Sequence, residues 1–232
     1  MALLQNLGML AFLVASLLVG VRLLLLWQRT RRLPELTIGL AFVLAGFIGG
    51  VLIHLATVLG SAALGHGAVA TLHAGSLCLA VFTWRVFRPD QLWAGSLVAT
   101  LAAGAGLALL GGSGYGIEGA ARGGTLFWLG FVCRALPFGW AALESGLYYR
   151  RIRRRAQIGL ADRGVAQRFL YWSVGSGCVF WIWCQSATVI ALGHDPNLGA
   201  PLLVRSLIGL VAAAALWCAF FPRSARLPQW TR

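Results

Sequence analysis

Lysine is absent from this chain, and all nineteen of its basic residues are arginine. A cofactor held as a Schiff base therefore has no anchor. Acidic residues number only six, and charged residues make up 11% of the 232 positions against 59% hydrophobic ones. With a mean hydropathy of +0.80, there are too few polar side chains to coat a soluble globule of this size. The apolar surface must face lipid. Catalytic signatures are missing too: there is no HExxH pair, no GxSxG elbow and no pair of carboxylates inside an apolar run, so the sequence reads as a non-enzyme. The five cysteines, Cys78, Cys133, Cys178, Cys184 and Cys218, show no CxxC spacing. They all fall within apolar runs, where a cysteine packs as a small hydrophobe and no disulfide framework is implied.

The hydrophobic residues gather into blocks of roughly 20 or more, the length needed to cross a ~30 Å hydrocarbon core at 1.5 Å per residue. The spans fall at about 5–27, 36–60, 66–86, 92–112, 124–148, 169–193 and 199–221. They are apolar on every face, whereas a transmembrane β-barrel would alternate in ten-residue segments. The fold class is thus all-α, a polytopic seven-helix bundle forming one domain over residues 1–232. The first block is long, lacks a basic stretch before it and is followed by Arg29, Arg31 and Arg32, which makes it a retained helix rather than a signal peptide. Glycines inside the spans, among them Gly46, Gly49, Gly50, Gly104 and Gly106, predict closely packed helices.

The arginines set an orientation. Arg29, Arg31 and Arg32 lie between spans 1 and 2, and Arg85 and Arg88 at the boundary of spans 3 and 4. Arg150, Arg151, Arg153, Arg154, Arg155, Arg163 and Arg168 lie between spans 5 and 6, and Arg223, Arg226 and Arg232 in the tail. Seven spans bring all of these to one side, leaving Arg122 alone in the opposite loops. The positive-inside rule then puts the amino terminus outside and the carboxyl terminus in the cytoplasm, in a membrane such as a bacterial inner membrane. Juxtamembrane arginine meets anionic headgroups, so the formal charge of +13 does not point to nucleic acid. Arg151, Arg153, Arg154 and Arg155 form the candidate cytoplasmic interaction surface. Their loop is too short for a kinase-type or nucleotide-binding domain, and its Asp162 is placed to cap the following helix.

A WxxFxP pattern occurs twice, as Trp84, Phe87 and Pro89 and, 133 residues on, as Trp217, Phe220 and Pro222. The same displacement lays Gly60 on Gly193. Spans 1–3 and 5–7 could be parallel repeats joined by span 4, or the pattern could reflect the ordinary abundance of Trp and Pro at membrane interfaces. The layout resembles SWEET-type sugar transporters and, more distantly, seven-helix rhodopsins, in topology alone. Without lysine there is no covalent retinal, and the prolines that recur within SWEET helices reduce here to Pro137.

Ionisable groups at bilayer depth are costly, so each needs a partner or a function. Arg22 and Glu144 sit close enough to span ends to be structural. Counting from the outer ends, His54 lies about 9 Å down span 2, His73 about 10 Å down span 3 and Arg134 about 15 Å down span 5. Gln185 lies about 12 Å down span 6 and Arg205 about 9 Å down span 7. These five are the candidate ligand-binding residues. Two arginines without a carboxylate at their depth (Glu118 and Asp195 being in loops) suit a small anionic ligand, or else bind helix-end carbonyls. Pro137 in the run Arg134-Ala135-Leu136-Pro137-Phe138-Gly139-Trp140 is a candidate kink and hinge. His54 and His73 could alternatively be axial ligands of a b-type haem. His66 and His194 are outer-surface residues, and Trp181 and Trp183 are expected to pack helices. The leading expectation is a receptor-like sensor that signals through the Arg-rich loops to a cytoplasmic partner. The alternatives are a small-solute transporter and a haem-bearing electron-transfer protein.

Overall fold

A computed structural model describes the backbone of residues 2–112 and 116–221 and the side chains of residues 7–112, 119–121 and 124–221. Expectations for the side chains of Glu118, Arg122, Pro222, Arg223, Arg226 and Arg232 lie outside the described residues. The chain is all-helical, with seven helices long and apolar enough to cross a bilayer. Helices are the only open-chain solution in hydrocarbon, because each backbone N–H and C=O must find a partner within its own segment. We number them α1 (Ala2–Thr30), α2 (Leu33–Leu59), α3 (Ala62–Phe87), α4 (Leu92–Leu110), α5 (Gly116–Gln157), α6 (Arg163–Ala191) and α7 (Gly199–Phe220). The protein is an integral membrane protein of the seven-helix bundle type.

Local chemistry explains the ends. Pro34 occupies the first turn of α2, where its missing N–H costs nothing. Gly60, at φ +62°, closes the same helix in the left-handed conformation that glycine adopts without strain. Ser61 caps α3 by accepting from Leu64 N at 3.4 Å, and Asp162, as the sequence led us to expect, caps α6 by accepting from Gly164 N at 2.7 Å. The Arg run continues α5 past the predicted end at 148, to Gln157, and the helix is broken at Gly124, with φ +47° and ψ −126°. Pro137 sits in continuous helical backbone.

One departure was not foreseen. Residues Phe42–Ile48 of α2 are π-helical, and Gly49 N bonds back to Leu44 O, one residue further than in an α-helix. An apolar-on-all-sides segment carries no periodic signal that would show the wider winding.

The packing is a ring. Successive neighbours are α1, α2, α3, α5, α6 and α7, with α7 returning onto α1, while α4 lies outside against α3 and α5. Small residues permit the closest crossings. A Cβ on Gly8 of α1 would fall 1.8 Å from Ser206 O of α7, and one on Gly75 of α3 would fall 2.4 Å from Ala45 N in the π-helical stretch. Gly46, Gly49, Gly50 and Gly104 also meet neighbouring side chains within 3 Å of such a Cβ, whereas Gly106 faces open space.

Cross-helix contacts bring the described arginine clusters at 29–32, 85–88 and 150–168 to one end, whereas Arg205 lies toward the other. Phe87 of α3 meets Tyr148 of α5 and Phe169 of α6, Phe42 of α2 meets Phe220 of α7, and Trp93 of α4 meets Trp140 of α5. We call this the Arg-rich end, and the end with the 60–61 and 192–198 connections the Arg-poor end.

These crossings predict that Gly75→Val destabilises the bundle by about 1–3 kcal/mol through overpacking. Gly106→Ala should leave stability unchanged or slightly raised, since alanine favours helix. Thermal unfolding of the purified variants in detergent checks both.

Candidate functional site

The ring encloses a cavity of about 190 Å³ that runs from Asn197, in the loop before α7, to Trp172 and Leu216 nearer the Arg-rich end. Its walls are mainly apolar, with Phe12, Leu72, Phe138 and Ile182 on four different helices. The π-helical stretch contributes Phe42, Ala45 and Gly46, so the widened winding presents small residues toward the space. Asn197, Arg205 and Ser206 line its Arg-poor end, and Ser176 lies one turn of α6 from Trp172.

Arg205 is held there by a short relay. Its Nη1 donates to Asn197 Oδ1 at 2.8 Å and to Pro196 O at 3.2 Å. Asn197 in turn donates its backbone N–H and its Nδ2 to Asp195 Oδ1, at 2.8 and 3.0 Å. The Asp195-Pro196-Asn197 turn thus links the Asp195 carboxylate to the guanidinium through Asn197. Next to it, Ser206 Oγ accepts from Gly8 N at 3.0 Å, tying α7 to α1 at the same level. Such an arrangement orients a charged donor toward a partly enclosed space.

The other candidates lie elsewhere. His73 is buried between α3 and α5, its Nδ1 2.8 Å from Val69 O, its Nε2 turned toward Gly130. Arg134 lies one turn along α5 from Gly130, buried to 3% exposure. Its guanidinium carbon is 5.7 Å from the Phe131 ring and 5.6 Å from the Trp183 ring, in range for cation–π attraction. Trp183 lines the cavity and so stands between Arg134 and the space. Gln185 donates from Nε2 to Pro201 O at 2.9 Å, joining α6 to the first turn of α7. His54 is exposed on α2. Of the five candidates, the structure brings His73 and Arg134 together and places Arg205 in the cavity; it does not gather them into one chamber.

A b-type haem does not fit this arrangement. His73 commits its Nδ1 to its own helix and aims Nε2 at α5, while His54 is exposed on α2, so no common gap receives both rings. The cavity is also smaller than the roughly 300 Å³ at which pockets for drug-sized ligands begin. Among the described residues no group of three or more His, Cys, Asp or Glu is placed to hold a metal ion.

Three features were missed in the sequence. Asn197 and Ser206 flank Arg205, and the run Asp195-Pro196-Asn197 could have signalled a structured turn. Phe42, Trp172 and Phe220 make edge-to-face contacts in all three pairings, at 5.7, 5.5 and 5.5 Å, and close the ring below the cavity. Glu144 pairs with Arg88 at 2.9 Å and also accepts from Trp140 Nε1 at 3.4 Å. Arg22 donates to Phe220 O at 2.7 Å, at the end of α7.

Compared with protein families, curated proteins and solved structures, the chain matches none.

The Arg88–Glu144 pair is unevenly exposed, at 30% and 8% for the two side chains. Arg88→Ala strands a buried carboxylate and should cost about 3–5 kcal/mol, whereas Glu144→Ala frees a cation that can reach solvent and should cost about 1–3 kcal/mol. A double-mutant cycle on thermal stability in detergent checks the order and the coupling.

Proposed function

We propose that this protein is a membrane sensor whose ring-enclosed cavity takes a small anionic ligand, with Arg205 as its charge partner. The observation that carries the reading is the asymmetry of the cavity. Arg205 is the one charged side chain among the described lining residues, and it sits at one end with Asn197 and Ser206, while the other end is closed by aromatic rings. A volume near 190 Å³ limits the ligand to a small molecule. Apolar walls strengthen the attraction between a guanidinium and an anion by excluding water.

Transmission would run through Trp183. It borders the cavity and packs edge-on against Phe131, 5.1 Å away, with the Arg134 guanidinium against both rings. A ligand that shifts Trp183 therefore acts on α5, the helix that contains Pro137 and extends into the Arg150–Arg155 run. The positive-inside rule assigns the Arg-rich end to the cytoplasm and the cavity end to the exterior, as in a bacterial-type inner membrane. Arg151, Arg153, Arg154 and Arg155 would then face a cytoplasmic signalling partner.

Transport is the second reading, and the ring order favours it. A two-fold axis along the ring would carry α1, α2 and α3 onto α5, α6 and α7 and leave α4 outside, as parallel repeats require. The Phe42–Trp172–Phe220 closure and the scarcity of polar lining beyond it favour a sensor.

In proteoliposomes, labelled acetate, succinate and inorganic phosphate should show no protein-dependent uptake, and flux of any of them would replace the sensor with a transporter. Thermal-shift titration with the same three anions should give saturable stabilisation by at least one. Arg205→Ala should weaken that binding roughly tenfold or more, the loss of one charge-assisted hydrogen bond. Arg134→Ala should retain it while lowering stability; equal affinity in wild type and Arg205→Ala would end the anion assignment.

A further inference from the structure

Outside the ring, at the Arg-rich end, α1 and α7 leave a recess of about 660 Å³ between them. That volume is within the roughly 300–1,000 Å³ typical of sites that bury an extended small molecule. One wall is a single stripe of α1, where Val21, Arg22, Leu25 and Arg29 follow at helical spacing. The other wall is Trp217 and Phe221, whose rings stack at 4.3 Å with 20° between planes.

Arg22 is fixed in this recess. Its Nη1 donates to Phe220 O at 2.7 Å, and its guanidinium carbon lies 4.6 Å from the Phe221 ring centroid. A guanidinium has five N–H donors, so one bond to a carbonyl leaves others to offer. Arg29 lies seven residues further along α1, about 10 Å nearer the helix end. No carboxylate lines the recess among the described residues.

We propose that the α1/α7 recess is a specific site for an anionic glycerophospholipid. Its acyl chain runs inward along Val21, Leu18 and Leu17 against Trp217, and its phosphate is taken between Arg22 and Arg29. The occupant follows from charge and place. Two cations and an apolar slot call for an anion joined to a hydrocarbon chain, and the recess opens on lipid at headgroup depth, where Arg29 ends its helix. A second copy of this chain would bring the same arginines and meet them with like charge. The site is separate from the central cavity, so it stands or falls independently of the sensor reading.

The test is native mass spectrometry of the full chain in mild detergent, with phosphatidylglycerol or phosphatidylcholine of identical acyl chains added. Wild type should retain one phosphatidylglycerol at a concentration at least tenfold lower than it needs to retain phosphatidylcholine. Arg22→Gln combined with Arg29→Gln should reduce this to the phosphatidylcholine level. Because losing Arg22 also removes a partner from the end of α7, Val21→Trp provides a second arm: it fills the slot, keeps both charges and should abolish the adduct. Arg153→Gln with Arg154→Gln should leave the adduct intact. Equal retention of the two lipids by wild type overturns the proposal. So does an adduct that survives both recess variants, an adduct lost in the Arg153/Arg154 variant, or a dimer in place of the lipid-bound monomer.

Discussion

Inside hydrocarbon a polar group has no water to fall back on, and this requirement organises the interior of the protein. Each deeply placed charge is met by a group from another part of the chain. Arg22 reaches the last carbonyls of α7, Arg88 pairs with Glu144, Arg134 lies against two aromatic rings, and Arg205 is tied to the loop before its own helix. Three of these links join residues far apart in sequence, so satisfying the charges also fixes which helices are neighbours. Ser76 Oγ, donating to Arg134 O at 3.1 Å, does the same for α3 and α5 beside Pro137.

Close approach is the second condition. Gly8 against Ser206 closes the ring, and Gly75 against Ala45 seats α3 on the π-helical part of α2. Where such crossings pull helix axes together at the perimeter, six helices cannot also fill the middle with side chains of moderate size. The central cavity is the result. Its polar end and its aromatic end follow from which residues happen to face inward at each level, with Arg205 at one and Trp172 at the other.

The candidate site was only partly legible beforehand. Matching depth grouped Arg205 with four other polar residues, since depth follows from counting residues along a helix, and of these five Arg205 is the one that lines the cavity. Depth says nothing about azimuth, and here azimuth separated the five candidates. His73 turns into the α3–α5 contact, Gln185 bridges to α7 and His54 faces outward. Had these helices carried a polar stripe, the direction of each face could have been read from its period. Helices apolar on all sides offer no such mark, and the same silence concealed the π-helical stretch.

The seven spans, the helix cap at Asp162 and the clustering of arginine in alternate connections were all determined by the sequence alone. They depend on length, hydropathy and nearest-neighbour chemistry, which are local quantities. The order of helices around the ring, the exclusion of α4 from it, the partner of Glu144 and the separation of Arg205 from Arg134 were decided only by tertiary structure. Each of these depends on how a helix is rotated about its own axis. In a bilayer that rotation is set by small-residue crossings and buried polar links between segments distant in the chain, because lipid solvates every apolar face equally well.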